Sequence, residues 1–293
     1  MATYVTSDAH GHVRALDAAL AAAQPSSDDA IYVIGDMIDR GPDPVGVLKL
    51  VRSLPNARVL MGNHEQLMLD ALLTDDSYSS MTWEMNGGHV TAQGLDALPG
   101  GEVSEMVDWV ASLPLFDVVR VGDRFSASRA PADEYALRSY ILCHAGIDAR
   151  AARAYLAASG VAVDEPGGCA EATVEQLEAM MEHQDPEDLL WIREAFWGTP
   201  TGLVDGSGRG PVVVAGHTPS LLLNGFARLM GGPVLDARGR ARIVEVGACH
   251  ETGGIADRID IDASAAAGAP HGRVAVMRLE DHAVWYGEIA DGE

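Results

Sequence analysis

Five times along the chain an apolar, β-branched run gives way to a short polar cluster. Tyr4-Val5-Thr6 leads to Asp8-Ala9-His10-Gly11, and Ile31-Tyr32-Val33-Ile34 leads to Gly35-Asp36-Met37-Ile38-Asp39-Arg40-Gly41. Val59-Leu60-Met61 precedes Gly62-Asn63-His64-Glu65, Tyr140-Ile141-Leu142 precedes His144-Ala145-Gly146, and Val212-Val213-Val214 precedes Gly216-His217-Thr218. Such runs predict strands. Between the first three runs the apolar residues change to helical spacing. They are Val13, Leu16, Ala19, Leu20 and Ala23, then Val47, Leu48 and Val51, then Leu67, Met68, Ala71 and Leu72. The pattern predicts strands at 3–7, 30–35 and 57–61, with helices over 12–23, from Pro44 onward and through 67–72. Strands alternating with helices imply parallel βαβ units, whose ligands bind at the carboxyl ends of the strands. All five clusters fall there.

From 74 to 135 the pattern is less regular, with a helical stretch through Val103, Met106, Val107 and Val110 and a strand pair at Phe116–Val121 and Tyr135–Leu142 about a Gly122-Asp123-Arg124 turn. Residues 150–196 read as helical, and the amphipathic stretch 171–183 is expected to form part of a cap over the site. After His217 short strands are expected near 234–236, 242–247, 258–262, 273–279 and 284–288, with antiparallel character, and Ala263–Pro270 reads as a loop. No repeat and no long linker divides the chain. The expectation is one domain over 1–293, with cap or insert segments at 74–135 and 150–196 and an extra hairpin at about 224–258.

Charge and cysteine content narrow the partners. A formal net charge of −23 over 293 residues argues against nucleic acid and anionic membranes, which need clustered Lys and Arg. It leaves an anionic small substrate open, because bound metal ions would be the largest local charges. Cys143, Cys169 and Cys249 form no disulfide framework, no secretory leader is legible and no run of about 20 apolar residues occurs. A cytoplasmic location is therefore expected.

Together the clusters supply Asp8, His10, Asp36, Asn63, His144 and His217, an inventory suited to two divalent cations sharing a carboxylate. Asp36 occupies the middle cluster, about 28 residues from Asp8 on one side and from Asn63 on the other, roughly one β-loop-α unit each. A water between two such ions loses a proton readily and becomes a nucleophile at neutral pH. Attack on a phosphoester leaves an alkoxide that needs a general acid, which a His–Asp pair can provide.

The ordered set D-x-H-G, G-D-x-x-D-R-G, G-N-H-E, H-A-G and G-H-T, running from Asp8 to Thr218, resembles the phosphoprotein phosphatase branch of the calcineurin-like metallophosphoesterase superfamily, in its bacterial form. The resemblance implies an α/β fold of two mixed β-sheets sandwiched between helical layers, with a small helical cap. It implies that Asp8 and His10 ligate the first metal, that Asp36 bridges, and that Asn63, His144 and His217 ligate the second. It further makes His64 the proton donor oriented by Asp39, with Arg40 and Arg193 binding phosphate alongside Asn63. Two divalent ions are implied, Mn²⁺ first, with Fe, Zn, Co or Ni as alternatives. Asn86-Gly87-Gly88 resembles a motif of bacterial relatives and is either a site wall or a plain turn. Glu65 is expected to cap or pair rather than touch substrate, Cys143 to be a thiol of the strand core, and Cys249-His250 to lie in a hairpin. His12, His89, His183, His271 and His282 are expected to face solvent.

Three functions are distinguishable at this level. The first is a phosphomonoesterase resembling serine/threonine or tyrosine protein phosphatases, acting on a phosphorylated protein, a peptide or a small monoester. The second is a symmetrical dinucleoside polyphosphate hydrolase acting on diadenosine tetraphosphate. The third is a non-catalytic metal-binding scaffold, disfavoured because no ligand is missing. Relatives of the second kind usually carry G-N-H-D and often lose the aspartate matching Asp39. Glu65 and Asp39 therefore favour the first, as does the expectation that Trp83, Trp191, Phe196 and Trp197 serve the core rather than a nucleobase.

Overall fold

The computed structural model describes residues 1–74, 76–122 and 137–291. Its first sheet has the order β10-β9-β1-β2-β3, built from β1 (Thr3–Thr6), β2 (Ala30–Val33), β3 (Ala57–Val59), β9 (Arg273–Arg278) and β10 (Ala283–Glu288). β1, β2 and β3 run parallel, whereas β9 lies antiparallel to both β1 and β10. The second sheet has the order β4-β5-β6-β8-β7, from β4 (Phe116–Gly122), β5 (Leu137–Cys143), β6 (Val212–Ala215), β7 (Val244–Val246) and β8 (Arg258–Asp260). β5, β6 and β8 are parallel, and β4 and β7 pair antiparallel at its two edges.

Two-residue alternation along these strands separates three cores. In β2 and its extension Ile31 and Val33 face one way, toward α1 (Val13–Ala23), α2 (Pro44–Ser53) and α3 (Asn63–Leu73), and Tyr32 and Ile34 face the other. Val5, Tyr32, Ile34 and Leu60 meet Tyr140, Leu142, Val212 and Val214 in a core between the sheets. The opposite sides of β5 and β6, at Ile141, Cys143, Val213 and Ala215, join a third core under α7 (Ala149–Ala158) and α8 (Val174–Glu182). Both sheet faces are therefore covered, which is why the strands lack polar alternation. The helices start on local signals. Asp43 accepts from Gly46 N with Pro44 in the first turn of α2, and Asp148 and Thr173 cap α7 and α8 in the same manner.

The insert after α3 consists of α4 (Ser77–Met85), α5 (His89–Asp96) and α6 (Gly100–Ala111). After α8 come α9 (Pro186–Trp191) and the single turn α10 (Glu194–Trp197). α8 buries Leu177, Met180 and Met181 in the third core and packs on β4 and α7. Two expectations need correction. Residues 234–236 form no strand: Gly231, Gly232 and Pro233 precede them, and only an isolated bridge joins Leu235 to Ala241. The stretch after His217 is not uniformly antiparallel, since β8 returns parallel to β6. Cys249-His250 lies, as expected, in a hairpin, in the connection between the antiparallel β7 and β8, where His250–Thr252 form a 3₁₀ turn. Cys143 is a fully buried thiol at the end of β5, as expected. The Asp123-Arg124 turn and the start of the strand expected from Tyr135 lie outside the described residues.

Candidate metal centre

The five clusters meet where the carboxyl ends of β1, β2 and β3 face those of β5 and β6. The loops after β1 and β2 are joined through the backbone, with Asp8 N donating to Gly35 O (3.1 Å), His10 N to Asp36 O (3.0 Å) and Gly41 N to His10 O (2.9 Å). Their path is tight enough to force left-handed backbone at non-glycine residues. Asp8 (φ 52°), His10 (43°), Asp36 (51°), Asp39 (68°), Arg40 (66°) and His217 (65°) all adopt it. Such conformations cost about 1–3 kcal/mol each and persist only where the surroundings enforce them. Their coincidence with six sequence-predicted site residues marks the region as functional. Glycine is required at Gly62, where a Cβ would collide with the backbone N and the Oδ1 of Asp36.

Asp36 is central. Its Oδ2 lies 3.5 Å from His10 Nε2 and 3.9 Å from His64 Nε2, and its Oδ1 lies 3.3 Å from His144 Nε2. Asn63 Oδ1 sits 2.9 Å from His144 Nε2 and 2.8 Å from His217 Nδ1. Two groups of potential ligands result, His10–Asp36–His64 and Asp36–His144–His217, each with its ligand atoms within 4.8 Å of one another and all buried. Donor atoms bound at about 2.1 Å to one ion stand roughly 3 Å apart, so the second group with Asn63 fits a divalent cation. His10 Nδ1 and His144 Nδ1 face the carbonyls of Ile38 (3.0 Å) and Ile34 (2.9 Å), which turns both Nε2 atoms toward Asp36. Asp8 is buried beside this set, with both carboxylate oxygens 3.1 Å from the His217 amide. In the first group His64 therefore stands nearer the His10–Asp36 pair than the motif alone suggests.

Charge in the centre is divided unevenly. Burial alone would raise the Asp36 carboxyl, but the His144 and His64 imidazoles hold it well below the ordinary carboxylate range. Burial would lower His144, yet Asp36 and Asp8 push it up to about 10. Burial dominates at His217, lowered to about 2, and at His10, also lowered, which favours the neutral imidazole at both. The Asp8 carboxyl is pushed up to about 6 by burial, against the pull of His144. Metal uptake must therefore displace the proton on His144.

Two arginines flank the set, one on each side of Asp36. Arg40 Nη2 lies 2.8 Å from His64 Nε2 and its Nη1 3.3 Å from His10 Nε2, while Arg193 Nε lies 3.0 Å from His217 Nε2. Arg193 sits in the break between α9 and α10, not within a helix. His64 Nδ1 faces Asp39 Oδ2 at 2.6 Å, with both side chains fully buried. Glu65 both caps and cross-links. Its Oε2 accepts from Gly62 N (2.9 Å) and Asp36 N (2.8 Å), and its Oε1 accepts from Met37 N (2.8 Å).

Sequence reasoning misplaced or missed several residues. His12 is buried rather than solvent-facing, and the His282 ring is held between Tyr140 Oη (2.8 Å) and Glu245 Oε1 (2.7 Å). His89, His183 and His271 are exposed, as expected. Phe196 and Trp197 are core residues, but Trp191 is only half buried and sets its ring against His217, centroids 5.8 Å apart. Trp83 and Thr91 were not recognised as neighbours of the site, yet both bond Asp39. Asp262 was missed too. It is buried, and burial together with Asp8 raises its carboxyl well above the usual range. Its signal in the sequence is weak, because the segment leading to it, Arg258-Ile259-Asp260-Ile261, is not an apolar run.

The model of the calcineurin-like phosphoesterase family matches residues 1–248. The symmetrical bis(5'-nucleosyl)-tetraphosphatase of Pectobacterium carotovorum is 30% identical over 120 residues, covering 40% of this chain and 39% of that protein. The enzyme of the same description from Coxiella burnetii is 30% identical over 117 residues, covering 39% and 36%. The chain thus spans about two fifths of the length of these curated relatives. A solved structure provisionally described as a diadenosine tetraphosphatase shares the fold, covering 99% of this chain and 94% of its own at 16% identity and a TM-score of 0.50. In the described residues no helix is long and apolar enough to cross a membrane. A cluster of buried His and Asp side chains at the strand ends of two mixed five-stranded sheets and a family match over most of the length lead to one conclusion: the chain belongs to the calcineurin-like phosphoesterase family.

Proposed function

We propose that the protein hydrolyses dinucleoside polyphosphates of the diadenosine tetraphosphate type, cutting them symmetrically. The observation that carries this reading is the pair of guanidiniums. Arg40 serves the His10–His64 side of Asp36, and Arg193 serves the His217 side. A polyphosphate spreads its charge along a chain that can meet both guanidiniums. Trp191, half buried beside His217, offers an aromatic face to a nucleobase on the Arg193 side. The printed descriptions of the curated relatives support the same substrate class.

Both sequence arguments for a phosphomonoester lose force. Glu65 directs its carboxylate at three backbone amides, so its difference from aspartate does not read the substrate. Trp191 does not belong wholly to the core. One observation still favours the monoester reading: the His64–Asp39 pair is complete, and an alkoxide leaving group needs a proton where a nucleoside diphosphate does not.

In the proposed site Asp8, His10, Asp36, Asn63, His144 and His217 hold two divalent ions, Mn²⁺ first. Bound there, the ions supply an activated water and neutralise phosphate charge. Arg40, Arg193 and the Asn63 amide orient the phosphoryl group, and His64, held by Asp39, hands a proton to the leaving oxygen. The deciding experiment is competition at equal concentration between diadenosine tetraphosphate, p-nitrophenyl phosphate and a phosphopeptide, with Mn²⁺. The dinucleotide should have the highest kcat/KM and give ADP as the sole nucleotide product. Preferential cleavage of a monoester, or release of ATP with AMP, would reject this substrate assignment.

A further inference from the structure

Asp39 is held by more than His64. Trp83 Nε1 lies 3.1 Å from both Asp39 carboxylate oxygens, and Thr91 Oγ1 donates to Asp39 Oδ1 at 2.5 Å. The same Thr91 hydroxyl accepts from Asp39 N at 3.0 Å. That reciprocal pair closes a small ring around a residue whose backbone is left-handed, fixing the main chain and the side chain of Asp39 together. All four residues are buried, with Asp39, His64 and Thr91 fully inaccessible. Trp83 comes from α4 and Thr91 from the first turn of α5, so both belong to the insert and not to the sheets. The turn between the helices is shaped for the task. Gly88 lies so close to the indole that a Cβ there would strike it, and Gly87 receives the Arg40 amide at its carbonyl (3.4 Å).

We infer that Trp83 and Thr91 are positioning residues that act through Asp39 on His64, making the α4–α5 insert a working part of the proton-donating device. Three donors saturate the Asp39 carboxylate: His64 and Trp83 at Oδ2, Thr91 and Trp83 at Oδ1. With its other partners fixed, Asp39 can present Oδ2 to His64 Nδ1 in only one orientation. This keeps a hydrogen on Nδ1 and directs Nε2, the other ring nitrogen, at the leaving oxygen. When the bond from phosphorus to that oxygen breaks, the Nε2 proton passes to the oxygen. The imidazole is left neutral, with its Nδ1 hydrogen still on Asp39. The inference rests on the proposed role of His64 and does not depend on which phosphate ester is the natural substrate.

The test uses the full chain and the variants Trp83→Phe, Thr91→Val, Thr91→Ser and His64→Asn. Two readouts are taken: the far-downfield ¹H resonance of the His64 Nδ1 hydrogen, and kcat with Mn²⁺ on phosphate esters of graded leaving-group basicity, from p-nitrophenyl to alkyl. Thr91→Val deletes its donor at nearly constant volume, and Trp83→Phe deletes the indole N–H together with part of the ring. They should move the Nδ1 resonance upfield and lower kcat ~10- to 100-fold on alkyl esters, the usual worth of a hydrogen bond to a charged group. The loss on p-nitrophenyl phosphate should be much smaller, with KM little changed. Thr91→Ser, which restores the hydroxyl, should recover both signals. A variant that is merely destabilised would lose activity equally on every ester. Equal losses across the series, or an unmoved Nδ1 resonance, with a steep response in His64→Asn, would overturn the clamp alone. A flat response in His64→Asn would overturn the role of His64 and the clamp with it.

Discussion

At the scale of single residues, the site is organised by groups that touch no substrate. Glu65 is buried, and burial together with Asp36 pushes its carboxyl up to about 7, yet it accepts three backbone amides from two loops. Glu65→Ala leaves those amides without a partner. It should cost on the order of 3–5 kcal/mol, read from denaturant midpoints, and lower the bound metal as well. Stability unchanged within error would show that the loops hold themselves. The cysteines give a simpler expectation. Burial pushes the Cys143 thiol up to about 12 and raises Cys169, whereas Cys249 is partly exposed. A thiol reagent at pH 8 should label Cys249 alone in the native protein and all three after denaturation, counted by mass spectrometry. Labelling of Cys143 in the native state would contradict its burial.

At the scale of elements, each strand–loop–helix unit delivers its ligands by backbone shape. Gly62→Ala should displace Asp36 while leaving the helices intact, because the added methyl meets the Asp36 amide and Oδ1. The expected result is native far-UV circular dichroism with metal content well below two per chain by elemental analysis. A variant that keeps its full complement would mean the loop can give way. The same units explain what was legible in the sequence. Strands with apolar positions on both faces, followed by Asp, His and Asn, identified the sheets and nearly every residue around Asp36, because period and composition are local properties. Strand direction is not local, which is why the pattern around β8 does not reveal that it runs parallel to β6. The side-chain environments of Trp191 and His282 are not legible either, and Trp83, a core residue as expected, and Thr91 have bonds to Asp39 that no local pattern reveals. Trp83 lies 44 positions from Asp39 and Thr91 lies 52, so only the packed insert brings them together. Arg193 could be named from its motif, but its contact with His217 depends on the break between α9 and α10.

For the molecule as a whole, the buried charges tie stability to metal and pH. Asp8 and Glu65, with folded-state carboxyls near 6 and 7 against ordinary values of 3.8 and 4.5, keep protons in the folded chain that the unfolded chain has released. The folded state therefore binds more protons between about pH 4 and 7, and these groups make the metal-free protein less stable as pH rises through that window. Metal binding runs the other way, since Asp8 must be ionised and His144, raised to about 10, must lose its proton to act as a ligand. The rise in Tm on adding Mn²⁺ should consequently be larger at pH 8 than at pH 5.5, by several degrees in thermal scans. An equal rise at both values would place the ion away from these residues. Exhaustive chelation should abolish hydrolysis, and Mn²⁺ should restore it better than Mg²⁺, because nitrogen ligands favour the transition metals. Full activity after chelation would remove the metal from the reaction.

The place of β1 has a consequence for how the protein is made. Its neighbour on one side is β2, supplied within the first 33 residues, and on the other is β9, supplied only from Arg273 onward. While the chain is being synthesised, the strand that leads to Asp8 and His10 therefore has one edge open until Arg273 and the residues after it have left the ribosome. An open strand edge invites pairing with another chain, and contacts of such long sequence separation form slowly. Nascent chains halted before Arg273 should accumulate as aggregates. Slowing translation upstream should not relieve them, because the missing partner lies downstream of every pause.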